Sequence, residues 1–160
     1  MILSNRQRLG VAAAILLGYS SAAAAGECPA GDVVPAGQGQ TAEVTAPRDV
    51  TDTVLADIDL SREKIAAEGR EFRLREFVIA PGGEVPWHDH ADRPAIIYIV
   101  AGEVTEYAST CAVPILHKAG EVARESTGLQ HWWRNEGSVP ARLISADIFH
   151  VEPAADPDTM

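Results

Sequence analysis

His88, Asp89 and His90 follow six residues after Gly82, and about forty residues later Gly128-Leu129-Gln130-His131 supplies a third histidine. Side chains of an extended segment alternate with period two, so His88 and His90 project to one face of a sheet. A histidine from a neighbouring strand then completes a facial metal site. Imidazole suits Zn, Cu, Fe and Ni, whereas Mg and Ca prefer oxygen cages, so these donors point to one divalent transition metal, with Fe, Zn, Cu, Mn and Ni as candidates. The two other histidines, His117 and His150, read as satisfied core or surface residues.

The spacing resembles the two motifs of the cupin family. In the first motif, Gly82 is followed by five residues, His88-x-His90, four residues to Ala95 and six to Gly102. In the second, Gly120 is followed by five residues to Ser126, then Gly128, His131 and Asn135. The chain departs from the family at two places: Ala95 stands where the family has a glutamate ligand, and Ser126 where it has a proline. The resemblance implies a metal held by His88, His90 and His131 with the carboxylate missing. Asp92, which shares the parity of His90, is the weak candidate for a substitute. A glutamate introduced at position 95 would restore a fourth ligand and tighten metal binding. Three histidines without the glutamate also occur in cupin-type dioxygenases acting on thiols and diketones, so the resemblance suggests an oxygenase for a small organic substrate. The competing expectation is a non-catalytic module that binds a metal or a small ligand.

Around these ligands, Trp87, Trp132 and Trp133 could wall an apolar pocket, although core packing is the commoner use of such residues. Tyr98 could donate a hydrogen bond toward a bound ligand. Arg93, in the loop between the two strands of the first motif, could receive a substrate carboxylate bidentately or simply be solvated.

These residues sit in an exported chain, by the reading of its first 25 positions. Arg6 and Arg8 precede an apolar run from Leu9 to Leu17, and Ala23-Ala24-Ala25 forms a small-residue cleavage site, which together read as a secretory signal peptide. Glu27 before Cys28 does not fit lipoprotein processing, and Gln7 between the arginines does not fit a twin-arginine signal. A periplasmic or secreted location follows, with no membrane attachment after cleavage. There Cys28 and Cys111 are expected to pair, closing a loop of about 82 residues. Two free thiols are the alternative. Thirteen basic against 23 acidic residues give a net charge of −10, and losing Arg6 and Arg8 with the leader takes it to −12. Such a surface repels phosphate backbones, so nucleic acid is excluded as a partner.

Residues 26–52 are rich in Pro, Gly and Ala and predict an irregular arm. From Thr53 the pattern turns to strands. Thr53–Leu60 alternates as a half-buried strand with Val54, Ala56, Ile58 and Leu60 on one face, and Ser61–Gly69 is a short helix or a charged loop. Strands then follow at Phe72–Ala80, Glu84–His90, Ala95–Ala101, Glu103–Tyr107, Ile115–His117, Gly120–Glu125, Leu129–Arg134 and Ala141–Val151, with Pro81-Gly82-Gly83 as a turn. Short strands punctuated by glycine predict an all-β sandwich or barrel. The resemblance sharpens this to a cupin-type double-stranded β-helix, a jelly-roll barrel over residues 53–151, and implies a homodimer. The acidic residues 152–160 predict a flexible tail.

Overall fold

The computed structural model describes residues 26–151, so the expected signal peptide and flexible tail lie outside the described residues. Eight strands form a nearly closed antiparallel barrel: β1 (Arg48–Asp59), β2 (Arg70–Asp89), β3 (Ala95–Ala101), β4 (Glu103–Ala108), β5 (Ile115–Lys118), β6 (Val122–Glu125), β7 (Gln130–Arg134) and β8 (Ala141–His150). The order across the sheet is β5-β4-β7-β2-β8-β3-β6, with β1 pairing on β2. The all-β jelly-roll expectation holds. Between β1 and β2 the chain makes a short 3-10 turn, Leu60–Arg62, which Asp59 caps by accepting from the Ser61 N–H.

Strict alternation builds the interior. On β3, Ala95, Ile97 and Ile99 are buried while Ile96 and Tyr98 face out, and on β8 Ala141, Leu143, Ser145 and Asp147 point inward. With Ile79, Val104, Ala123 and Trp133 the apolar members of this set form one core.

Three expectations are corrected. Pro81-Gly82-Gly83 is not a turn between two strands, because β2 runs unbroken for 20 residues and changes partners there. Its first half pairs with β8, from Arg70↔His150 to Ile79↔Ala141, and its second half with β7, from Glu84↔Arg134 to Asp89↔Gln130. Gly82 has φ +76°, which a side chain rarely adopts, and a Cβ on Gly83 would lie 2.6 Å from the Asp49 carbonyl. The Asn135 side chain ties this corner down by donating 2.8 Å bonds to the Ile79 and Val139 carbonyls. The first strand begins at Arg48, inside the expected arm, and it has no buried face: every residue from Thr51 to Ile58 is exposed on both parities, since β1 pairs only with β2.

The arm is held at Cys28 by a disulfide to Cys111, with Cα atoms 5.8 Å apart. Gly37 and Gly39 N–H groups donate to Ser109 O, and Gln40 N–H donates to Ala108 O, so the arm seals the end of β4. Replacing both cysteines with serine is expected to cost about 2–4 kcal/mol, read as a lower chemical-denaturation midpoint with an intact barrel spectrum.

Candidate metal centre

β2 delivers His88 and, just beyond its end, His90, whose N–H donates to the Leu129 carbonyl at 3.0 Å. β7 delivers His131 directly opposite His88 in register. Each imidazole commits its Nδ1 to an acceptor. The His88 Nδ1 faces Pro86 O at 2.8 Å, the His90 Nδ1 faces Arg93 O at 2.7 Å and the His131 Nδ1 faces a Glu106 carboxylate oxygen at 2.6 Å. With Nδ1–H donating in all three rings, every Nε2 keeps a free lone pair, as metal ligation requires. The three Nε2 atoms converge: His131 Nε2 lies 2.9 Å from that of His90 and 3.1 Å from that of His88. Nitrogens each about 2.0–2.1 Å from a shared ion stand about 2.9 Å apart at a right angle, so this spacing fits a facial triad.

A fourth donor joins them. Glu125, buried on β6, places its carboxylate oxygens 3.2 Å from His90 Nε2 and 3.5 Å from His131 Nε2. His88, His90, Glu125 and His131 together form a cluster whose donor atoms all lie within 4.8 Å of one another and that could hold a metal ion. The expectation of a missing carboxylate is therefore corrected. Ala95 on β3 pairs in register with Glu125 on β6, so the carboxylate reaches the site from the strand beside the expected one. Asp92 takes no part in the cluster, being engaged with Arg70 and with the His150 Nδ1 at 2.9 Å. The signal for Glu125 was its parity, since in Val122-Ala123-Arg124-Glu125 the buried positions are Ala123 and Glu125.

Behind the site lies a buried network that sequence reasoning did not find. Glu106 on β4 accepts from the His131 Nδ1–H and also from His117 Nε2 at 2.8 Å. His117 stacks on Trp133 with ring centroids 4.8 Å apart, and Trp133 meets His131 edge-on at 5.7 Å. Burial opposes ionisation of Glu106, but the hydrogen bonds from His117 and His131 outweigh it and lower its pKa to about 2. A carboxylate on the far nitrogen of a ligating histidine fixes its tautomer and raises its basicity.

The site opens onto a cavity of about 250 Å³ whose lining includes His88, Glu125, Arg93, Trp133, Phe77 and Ile97. Arg93 and Trp133 thus reach the cavity. Tyr98 does not, because it lies on the outward parity of β3 and is 46% exposed. Trp132 is buried away from the cavity, stacked on Tyr107 at 3.8 Å, with its indole N–H donating to Thr41 O.

Burial, and then the charge of His131, lowers the pKa of His88 to about 3 and of His90 to about 4, so both rings are neutral and ready to ligate. Burial raises Glu125 to about 7, while His131 is raised because Glu106 and Glu125 outweigh its desolvation. A metal must displace the proton that burial keeps on Glu125 up to about pH 7. Metal affinity is therefore expected to rise as pH climbs from 5 to 8, with proton release seen by calorimetry in buffers of different ionisation enthalpy. Glu125→Gln should flatten that dependence and weaken binding; an unchanged pH slope would remove Glu125 from the site.

Known proteins agree with this architecture. The cupin domain family model matches residues 75–147. Germin-like protein subfamily 2 member 2 of Arabidopsis thaliana is 31% identical over 97 residues, covering 51% of this chain and 44% of that protein. Nectarin-1 of Nicotiana langsdorffii x Nicotiana sanderae is 37% identical over 70 residues, covering 42% of this chain and 31% of that protein. The chain spans less than half the length of these curated relatives. A crystal structure of a predicted oxalate decarboxylase from Thermotoga maritima superposes with a TM-score of 0.53 at 18% identity, covering 74% of this chain and 95% of that one, which is a likeness of fold. Residues 75–147 thus carry a cupin domain, within a barrel of cupin fold.

Proposed function

We propose that this protein is an exported, metal-dependent cupin enzyme, an oxygenase that acts on a small organic substrate. The observation that carries the reading is the opening of the donor cluster onto an apolar-walled cavity: His88 and Glu125 line it, so the centre faces a place where a small molecule can sit. A purely structural site is closed by its protein ligands. Three imidazoles and one carboxylate suit Fe, Mn, Cu, Ni or Zn, and a redox-active ion among these would supply the oxygen chemistry. His88, His90, Glu125 and His131 would hold it, Glu106 would orient His131, and Trp133 with Ile97 would exclude water from the substrate. The specific analogy to thiol and diketone dioxygenases, which rested on a missing carboxylate, is withdrawn, since Glu125 supplies one.

Export is part of the proposal. The Cys28–Cys111 disulfide supports it, being a bond that persists in oxidising compartments. No helix among the described residues is long and apolar enough to cross a membrane. A homodimer is also proposed, supported by outward apolar side chains on adjacent strands, with Phe72 and Leu74 on β2, Ile148 on β8 and Ile96 and Tyr98 on β3.

Elemental analysis of the mature protein from its native compartment, followed by oxygen-consumption assays with small carboxylates, tests the function. Near one equivalent of iron, manganese or copper with substrate-dependent oxygen uptake is expected. Stoichiometric zinc, or no metal at all, would overturn the oxygenase and leave a binding module.

A further inference from the structure

The cavity beside the metal centre carries more positive charge than its protein partners neutralise once an ion is bound. Arg73, Arg75 and Arg93 gather around Asp147, and the nearby carboxylates are Asp147, Asp52 and Glu125. Three guanidiniums thus face three carboxylates, and a divalent ion on the histidines adds two positive charges. Even with Glu106 counted behind His131, the loaded site has an excess that only a bound anion offsets.

The arginines are not equally engaged. Asp147 receives Arg73 through two bonds, Nε at 3.1 Å and a terminal nitrogen at 2.8 Å, and Arg75 at 2.9 Å. Arg93 reaches the same carboxylate only at 3.9 Å, beyond hydrogen-bond distance. Arg75 is 7% exposed, lines the cavity, and has a buried Nε–H without a partner. Leaving such a donor unsatisfied costs stability. Away from the arginines, Asp52, Glu125 and His88 the lining is apolar, with Phe77, Ile79, Val85, Ile97 and Leu143 among its members. At about 250 Å³ the space lies just under the roughly 300 Å³ at which pockets take drug-sized ligands.

We infer that this cavity takes a small organic monocarboxylate with an apolar body, its carboxylate held by Arg93 and Arg75 and its body laid against Phe77, Ile97 and Leu143. The assignment names the substrate class for the centre proposed above and rests on that reading. A neutral molecule offers no anion to Arg93, whose carboxylate neighbour Asp147 stands 3.9 Å away, or to the one free Nε–H of Arg75, whose other nitrogens already bond Asp52 at 2.6 Å and Asp147 at 2.9 Å. A dicarboxylate sets its second charge against the apolar wall.

The test is titration calorimetry of the full mature protein, zinc-loaded and metal-free, with acetate, isovalerate and phenylacetate, their matched amides, and oxalate. Isovalerate or phenylacetate should bind more tightly than acetate, oxalate or any amide. Arg93→Gln should weaken the carboxylates by roughly tenfold or more, the cost of losing a charge-assisted bond, and leave the amides and the zinc content unchanged. Arg93→Lys should recover part of the loss. Amides that match their acids, an Arg93→Gln variant that binds as the parent does, or no binding by any of the three carboxylates would each overturn the assignment. Failure of the wild type to take up zinc would count against the metal centre instead. In that case the preference of the metal-free protein for acids over amides, and its dependence on Arg93, decides the assignment alone.

Discussion

His131→Ala is expected to strip the protein of stoichiometric metal and to lower its melting temperature by about 10–20 °C even when metal-free. The size of the second effect comes from Glu106. Its buried carboxylate is held by two imidazoles, His131 and His117, and the variant leaves it with one. Breaking a buried charged pair from one side costs about 3–5 kcal/mol, and a domain of this size loses a few degrees for each kcal/mol. His88→Ala should also lose the metal but be milder in the metal-free protein, because the His88 Nδ1 faces only the Pro86 carbonyl. Glu106→Gln should keep the fold and weaken metal binding by about 10–100-fold. Metal analysis and differential scanning calorimetry on the three variants give the order. Full metal content in either histidine variant would remove that residue from the centre.

Ala95→Glu, which by family spacing should restore a ligand, is now expected to do the reverse. Ala95 is 6% exposed and pairs directly with Glu125, and cross-strand partners hold their Cβ atoms about 4.5–5.5 Å apart. A second carboxylate there meets a like charge in a buried, already filled space. Overpacking alone costs about 1–3 kcal/mol, and the like-charge contact adds to it. The informative double variant is the exchange Ala95→Glu with Glu125→Ala, which moves the carboxylate across the strand pair without changing composition. It should bind metal within about tenfold of the parent, while Glu125→Ala alone binds far more weakly; a chelator-competition titration measures both. An exchange variant as weak as Glu125→Ala would show that position 95 cannot reach the ion.

The contrast between these residues shows what was readable in advance. His88 and His90 share a face by local period, and short alternating strands led as far as an all-β sandwich or barrel, while the jelly-roll form and the third histidine came from the likeness of the two glycine-framed motifs to the family. Glu125 was not, because its placement depends on which residue of β3 it opposes, and pairing register between distant strands is not written in either strand by itself. Glu106 and His117 escaped for the same reason: each is an ordinary polar residue until β4, β5 and β7 bring them together. Tyr98 is a different case. Its parity is opposite to that of Ala95, so alternation already placed it outside. The corner at Gly82 misled because glycine and proline mark both turns and bends, and only the change of partner from β8 to β7 tells them apart.

The strand order also sets a timetable. The histidines belong to the β2–β7 side of the sheet and Glu125 to the β3–β6 side, and β8, the last strand among the described residues, lies between β2 and β3 and joins the two. A chain emerging from its N-terminus therefore exposes all four donors before the strand that assembles them exists. Pairings this distant in sequence form slowly, in milliseconds to seconds for β-rich domains, and donors on an open chain discriminate poorly among ions. Selection of the metal is thus postponed to wherever β8 docks, and the ions available in that compartment, more than the donor set, decide which one is kept.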